Sequence, residues 1–187
     1  MSAKIILGII GEMGAGKSTI TSYLKEKYGA VTFRFSDMLG DILERLHIEP
    51  ARENFQDLST ALRQTFGEDI MSQVIARDVA EAAADFIITE GVRRPTDVAY
   101  LRALPGYRLV SLVAAERTRY ERLLKRSEKT DDQTKTWADF QKEGQKETET
   151  KIKEVAAGAD FIVDNNGPLE ELYRQMDEIV AKLRATA

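Results

Sequence analysis

Cysteine is absent from the 187-residue sequence, and His47 is its only histidine. Without cysteine the chain has no disulfides, zinc–thiolate sites, iron–sulfur clusters or cysteine nucleophile. A single histidine makes a multi-histidine metal site impossible and argues against a histidine-based catalytic triad. The chemistry of this protein must therefore come from glycine, lysine, arginine and the carboxylates.

Long apolar runs and a large excess of one charge are also missing. No stretch approaches the roughly 18 to 20 apolar residues of a membrane span, and the first ten residues lack the apolar core of a signal peptide. The formal net charge is −4, without the basic stripe typical of nucleic-acid binders. We expect a cytoplasmic protein, a monomer or weak homodimer, that binds neither nucleic acid nor membrane.

Short apolar runs alternate with helical patterns along the whole chain. Because strands separated by helices favour a parallel sheet with helices on both faces, the pattern predicts an α/β fold with five strands. The predicted strands are residues 4–10, 30–35, 85–89, 107–113 and 160–164. The predicted helices are residues 17–28, 36–46 with Ser36 as N-cap, 53–66, 69–84, 95–104, 116–126, 137–157 and a last helix after Pro168.

The segment between the first strand and the first helix matches a phosphate-binding loop. Residues 11–18 read Gly-Glu-Met-Gly-Ala-Gly-Lys-Ser, which is G-x-x-x-x-G-K-[ST] in full. Glycines let backbone N–H groups point at phosphate oxygens, and the helix N-terminus adds its positive end. Lys17 supplies a charge to the β- and γ-phosphates, and the Ser18 hydroxyl is a ligand for Mg²⁺. The predicted ATP-binding residues here are Gly11, Met13, Gly14, Ala15, Gly16, Lys17, Ser18 and Thr19.

Carboxylates and an arginine follow the second and third strands, at the sheet edge where ligands of open α/β folds bind. Asp37 is predicted to act as a base towards an attacking hydroxyl or to hold the substrate's sugar; the alternative is helix capping with Ser36. Glu90 is predicted to reach Mg²⁺ directly or through water, and it is also a predicted acceptor-binding residue. Arg93 is placed to bind a phosphate. Arg94 is interpreted as solvated surface charge.

Two further groups of arginines have the charge that phosphoryl transfer requires. Arg119, Arg122 and Arg126 share one face of a predicted helix that precedes a polar loop, together with Arg117 on the same helix. Pairing with Glu116 and Glu121 is the alternative role for one or two of the four. Arg52 and Arg63 lie in the long connection after the second strand and are predicted ligands of an acceptor phosphate; Arg63 is alternatively exposed on an amphipathic helix.

Together these residues resemble the nucleoside monophosphate kinase-like P-loop family, especially its archaeal adenylate-kinase-related proteins and the dephospho-CoA kinases. The resemblance implies a P-loop NTPase fold in one domain, residues 1–187, with a helical acceptor-binding insertion at 39–84 and a lid at 126–157. It also implies that Asp37, Arg63 and Arg93 hold the acceptor and that Arg122 and Arg126 belong to the lid. Its marks are the P-loop, Ser36-Asp37, Leu62-Arg63, Phe66-Gly67-Glu68-Asp69, Glu90-Gly91-Val92-Arg93, Arg119-Tyr120-Glu121-Arg122, Lys125-Arg126, Asp131-Asp132 and residues 159–167.

By the same resemblance, the turn at Asn166 and Gly167 packs beside the adenine of ATP. The predicted function is a kinase that moves the γ-phosphoryl group of ATP, with Mg²⁺, to a nucleoside or deoxynucleoside monophosphate. The predicted catalytic residues are Lys17, Asp37, Arg122 and Arg126. Two alternatives stay open: a dephospho-CoA kinase, whose acceptor is a ribose 3′-hydroxyl, and a nucleotide-binding module without catalysis.

Overall fold

A five-stranded parallel sheet forms the centre of the protein. The computed structural model describes residues 4–125 and 135–186, except the side chain of Thr148. The strand order is β2-β3-β1-β4-β5, and every pair of neighbours is parallel. The predicted α/β fold is confirmed. The strands are β1 (Ile5–Ile10), β2 (Val31–Arg34), β3 (Phe86–Glu90), β4 (Tyr107–Val113) and β5 (Phe161–Asp164).

Helices connect the strands, and the longest connection, between β2 and β3, holds three of them. A 3₁₀ turn at Leu101–Ala103 precedes β4. The helices of the described residues are α1 (Lys17–Tyr28), α2 (Phe35–Arg45), α3 (Arg52–Phe66), α4 (Ile70–Glu81), α5 (Pro95–Val98), α6 (Glu116–Lys125), α7 (Trp137–Gly144), α8 (Glu147–Ala157) and α9 (Leu169–Thr186).

Helices pack on both faces of the sheet. Successive side chains of a strand point to opposite faces, so a buried strand such as β1 contributes to two apolar clusters. Leu7 of β1 belongs to one apolar cluster, which includes Ile20 of α1 and Met176 of α9. Ile6 belongs to the other, which includes Ile75 of α4 and Val155 of α8. All six residues of β1 are buried, as its unbroken apolar run predicts.

Several predicted helices have other bounds in the structure, and the helix predicted at 69–84 spans Ile70–Glu81. The helix predicted at 36–46 begins one residue earlier, at the buried Phe35. Arg34 occupies the N-cap position with an extended backbone, so Ser36 is not the N-cap. The helix predicted at 95–104 ends at Val98, before the 3₁₀ turn. The helix predicted at 137–157 is two helices, because Lys146 has an extended backbone at the start of α8.

The carboxyl ends of β1, β2 and β3 lie at one edge of the sheet, since the strands are parallel neighbours. The segments that leave this edge are the loop before α1, the start of α2 and the loop before α5. The phosphate-binding loop, Asp37 and the segment from Glu90 to Arg93 lie there. Among the described residues, no helix is both long and apolar enough to cross a membrane.

Candidate nucleotide-binding and phosphotransfer site

The loop between β1 and α1 is folded tightly around its own lysine. Lys17 Nζ donates hydrogen bonds to the backbone oxygens of Gly11, at 2.6 Å, and Glu12, at 3.1 Å. Gly14 and Gly16 have φ of 79° and 100°, a left-handed conformation that favours glycine. Such a loop presents successive backbone N–H groups at the start of a helix, which is the geometry that binds phosphate.

Glycine is also required here by close neighbours. A Cβ on Gly14 would lie 2.5 Å from the backbone oxygen of Arg119, and a Cβ on Gly16 would lie 2.2 Å from Asn165 Nδ2. Both contacts come from segments more than a hundred residues further along the chain. The phosphate-binding loop is thus enclosed by α6 and by the turn after β5.

Arg119 holds the loop from the α6 side. Its side chain is buried, and it donates hydrogen bonds to the backbone oxygen of Met13, to Glu12 Oε1 and to the backbone oxygen of Ala114, each at 3.1 Å. Its guanidinium group therefore ties the loop to the end of β4. This arginine is a support of the loop, whereas the sequence grouped it with the arginines placed for phosphoryl transfer.

Asn165 holds the loop from the other side, and sequence reasoning did not single it out. Its side chain is buried; Nδ2 donates to the backbone oxygen of Ala15 at 2.8 Å, while Oδ1 accepts from Arg122 at 3.3 Å. The sequence contains the pair Asn165-Asn166 directly after a predicted strand, and no local feature distinguishes the two asparagines. Asn165 connects the loop to the arginine of α6 that is a predicted catalytic residue.

Two other predicted residues lie on this side of the site. Nη1 of Arg122 is buried and has no hydrogen-bond partner in the described part of the chain, so one of its donors is available. Asn166 accepts a hydrogen bond from the backbone N–H of Ala115 at 2.7 Å, which joins the ends of β4 and β5. The contact of Asn166 and Gly167 with adenine stays a prediction. Arg126 lies outside the described residues.

Glu90 lies beside α1 at the carboxyl end of β3. It accepts hydrogen bonds from Thr21 and from Arg34, the latter at 2.5 Å, and its side chain is 12% exposed. Ser18 is exposed and lies one helical turn before Thr21, on the same face of α1. The structure thus brings a hydroxyl and a carboxylate to one face of the helix that follows the phosphate-binding loop.

Those two groups fit Mg²⁺, which prefers oxygen ligands and usually keeps several waters beside one or two carboxylates and the substrate's phosphates. Within residues 4–125 and 135–186, no cluster of three or more histidine or carboxylate side chains forms a metal site made by protein alone.

The Arg63 side chain is buried and makes its contacts inside the protein. Its Nη2 pairs with Asp97 Oδ1 at 2.8 Å, and the two side chains are 7% and 3% exposed. Its Nη1 donates to the backbone oxygen of Glu68, and its Nε has no partner among the described residues. Its predicted contact with an acceptor stays a prediction, with Nε as the donor not already used.

Asp97 connects this ion pair to the loop after β3. Its Oδ2 accepts the backbone N–H groups of Arg93, at 2.9 Å, and Arg94, at 3.0 Å. The Arg93 side chain is exposed and makes no ion pair within the described residues, whereas Arg94 pairs with Glu68 at 3.0 Å. The backbone of Arg93 is therefore fixed while its charge is available at the sheet edge.

Asp37 and Arg52, the remaining predicted acceptor residues, lie at the starts of α2 and α3. Both are exposed. Asp37 lies in the first turn of its helix, where a carboxylate is favoured by the helix dipole. The structure places Asp37 and Arg93 after neighbouring strands β2 and β3, whereas Arg52 lies in the insertion.

Known proteins resemble this chain over most of its length. The family model described as AAA domain matches residues 7–152. A UPF0200 protein of Thermococcus onnurineus (strain NA1) is 30% identical over 186 residues, which cover 97% of this chain and 99% of that protein. A UPF0200 protein of Methanothermobacter thermautotrophicus is 27% identical over 180 residues, covering 96% of this chain and 90% of that protein.

Solved structures share the fold at low identity. A shikimate kinase from Bacteroides thetaiotaomicron has a TM-score of 0.63 and 14% identity, covering 96% of this chain and 98% of that one. A gluconokinase from Sinorhizobium meliloti 1021 has a TM-score of 0.55 and 16% identity, covering 99% and 95%. These neighbours show a P-loop kinase-like fold. The chain belongs to the AAA domain family, and the relative at 30% identity shows that it also belongs with the UPF0200 proteins.

Proposed function

We propose that the protein is a kinase that transfers the γ-phosphoryl group of ATP to a nucleoside or deoxynucleoside monophosphate. The observation that carries this proposal is Arg93, an exposed cation without an ion-pair partner among the described residues, on a backbone that Asp97 fixes. It lies at the same sheet edge as the phosphate-binding loop. A second phosphate bound by Arg93 would therefore lie on the acceptor side of the nucleotide.

Transfer in such a site needs positioning and charge compensation more than covalent chemistry from the protein. An oxygen of the acceptor's phosphate forms the new bond to the γ-phosphorus, and the bond from that phosphorus to the β–γ bridging oxygen breaks, which releases ADP. The attacking phosphate oxygen carries no proton that must be removed. Lys17 offsets charge on the transferred group, with Arg122 and Arg126 as the further predicted cations.

Magnesium is the cofactor proposed for this reaction. Ser18 and Glu90 are the residues that would hold it, directly or through water. When bound, the ion neutralises charge on the nucleotide's phosphates. The residues of the loop itself bind and orient the donor through backbone N–H groups, and Arg119 and Asn165 keep those groups in place.

Dephospho-CoA is the second candidate acceptor, because Asp37 is exposed at the neighbouring strand end. A hydroxyl acceptor has a proton to lose on attack, and an available carboxylate is a suitable base. In that reaction the ribose 3′-hydroxyl oxygen bonds to the γ-phosphorus, Asp37 takes the proton and ADP leaves.

A coupled ADP-release assay over a panel of nucleoside and deoxynucleoside monophosphates, with dephospho-CoA in the same panel, tests the proposal. We expect acceptor-dependent ADP with at least one monophosphate. ATP binding with no ADP release above the rate without acceptor would instead support a non-catalytic nucleotide-binding module. Turnover with dephospho-CoA alone would reverse the order of the two candidates.

The acceptor site is tested by Arg93→Ala, with Arg94→Ala as the matched control. Loss of a charge-assisted hydrogen bond to phosphate is expected to raise the acceptor KM by about tenfold or more, with the KM for ATP unchanged. Arg94 already pairs with an exposed glutamate, so its removal is expected to change both constants by less than about twofold. Equal effects of the two variants would contradict the role of Arg93.

A further inference from the structure

A cavity of about 370 Å³ lies beside the phosphate-binding loop, between that loop and α6, α7 and α8. We name it the α7–α8 cavity; Glu12, Met13, Phe140, Gln145, Glu149 and Lys153 line it. Its volume is in the range of small-molecule sites in proteins. None of the predicted acceptor residues lines it. Because two of its lining residues belong to the loop, a group bound there lies next to the phosphates.

The charges of the cavity wall are unevenly compensated. Arg119 and Lys153 both pair with Glu12 Oε1, at 3.1 and 3.3 Å, so the two cations share one carboxylate oxygen. Glu149 Oε2 is buried and has no hydrogen-bond partner among the described residues. Glu116 also lines the cavity and makes no ion pair with any residue in 4–125 or 135–186.

An unpaired buried carboxylate oxygen is costly, and a ligand that donates a hydrogen bond to it removes that cost. The cavity lining has three carboxylates, Glu12, Glu116 and Glu149, against two cations, Arg119 and Lys153. This excess of negative charge would repel an anion bound in the same place. The cavity therefore selects the hydrogen-bond-donating part of a ligand, and it leaves the anionic part to the exposed arginine at the sheet edge.

We propose that the α7–α8 cavity binds the nucleoside part of the acceptor, with Glu149 as the specificity-determining residue that accepts a hydrogen bond from it. The proposal rests on the proposed function, which makes the acceptor a nucleoside monophosphate. The donor is either an amino group of the base or a ribose hydroxyl, which share the same chemistry towards a carboxylate. Acceptor choice is then made partly by α8, outside the insertion at 39–84.

The only tryptophan of the chain provides a direct measurement. Trp137 stacks on Phe140, with ring centroids 5.7 Å apart, and Phe140 lines the cavity. Adenosine, guanosine, cytidine, uridine and thymidine are titrated in turn in the presence of saturating Mg–ADP, which occupies the donor site, and Trp137 emission is followed. At least one nucleoside is expected to change the emission saturably. No saturable change with any of them would overturn the proposal.

Glu149→Gln removes the charge and keeps the shape, and Glu154→Gln, at an exposed position on the same helix, is the matched control. Binding of the nucleoside found in this way is expected to weaken by about tenfold or more in Glu149→Gln, and by less than about twofold in Glu154→Gln. Unchanged ADP affinity in both variants shows that the fold is intact. Equal nucleoside affinity in both variants would overturn the proposal.

Two analogues of that nucleoside identify the donor group. Weak binding of the analogue with hydrogen in place of the amino group (purine riboside in the case of adenosine) assigns the hydrogen bond to the base, whereas weak binding of the 2′,3′-dideoxy analogue assigns it to the ribose. Because binding is measured without transfer, its outcome is separate from the kinase assay. Nucleoside binding that depends on Glu149, without any transfer, would support the cavity proposal and reject the proposed function.

Discussion

The buried ion pair between Arg63 and Asp97 gives a quantitative test of how the acceptor side of the site is built. Asp97→Asn removes the charge of a carboxylate that is 3% exposed and accepts three hydrogen bonds, from Arg63 and from two backbone N–H groups. Removing one partner of a buried pair leaves the other charge uncompensated, which costs about 3–5 kcal/mol. We expect Asp97→Asn to lower the free energy of unfolding by about that amount.

Arg63→Met is expected to cost less, about 1.5–3 kcal/mol, because Asp97 then keeps the backbone N–H groups of Arg93 and Arg94 as donors. The double variant should lose at least about 1 kcal/mol less than the sum of the two single variants, since they break one shared interaction. The measurement is urea unfolding followed by circular dichroism, with the four proteins at one pH and salt concentration.

Arg77→Met is the matched control, because Arg77 pairs with Glu81 in an exposed pair whose side chains are 80% and 68% exposed. Its expected cost is below about 0.5 kcal/mol. The reasoning is refuted if Asp97→Asn costs no more than Arg77→Met. A large cost for Asp97→Asn with no coupling to Arg63→Met would also contradict it, because the stability would then come from the backbone hydrogen bonds alone.

Two other predictions concern the loop and the far side of α1. Gly16→Ala is expected to weaken ADP binding by about tenfold or more in calorimetry, because its φ is 100° and its Cβ would lie 2.2 Å from Asn165 Nδ2. Gly29→Ala, at φ 67° with nothing within 4 Å, should lower stability only and leave ADP affinity unchanged. Burial raises the pKa of Asp177, but hydrogen bonds from Lys27 and two tyrosines outweigh it and hold that pKa below its usual range. The free energy of unfolding should therefore be higher for wild type than for Asp177→Asn by a constant amount above about pH 5, and this difference should shrink below about pH 4. Urea unfolding of both proteins across this pH range measures the difference. A difference that grows in acid would contradict the prediction.

The central sheet and the phosphate-binding loop could be predicted from the sequence because their signals are local. The run 5–10 is apolar at every position except one glycine, and a strand buried on both faces needs such a run. The loop motif joins that strand to a helix within eight residues, so its structure depends little on the rest of the chain.

The supports of the site could not be predicted, because each depends on a contact between distant parts of the chain. Arg63 and Asp97 are 34 positions apart, and Asn165 and Ala15 are 150 positions apart. A buried arginine on an amphipathic helix has the same local sequence as an exposed one. Arg63 is buried only because α3 packs against the segment after β3, where Asp97 lies.

The break between α7 and α8 could not be predicted from the sequence for a different reason. Residues 137–157 have a continuous helical pattern, and the break depends on one extended residue, Lys146. That residue is polar and suits a helix interior as well as a helix start. The break places Gln145 and Glu149 on the wall of the α7–α8 cavity, so the part of the chain that the sequence described least well is also part of the proposed nucleoside site.

The contacts of Arg119 make the phosphate-binding loop and the start of α6 a single unit for protein engineering. The backbone oxygen of Arg119 lies against Gly14, while its guanidinium group holds Met13 and Glu12. A chimera that exchanges residues 11–18 with the loop of another kinase would separate these partners. Transplanting a loop of different specificity into this scaffold therefore requires the matching segment around residue 119 to be exchanged with it.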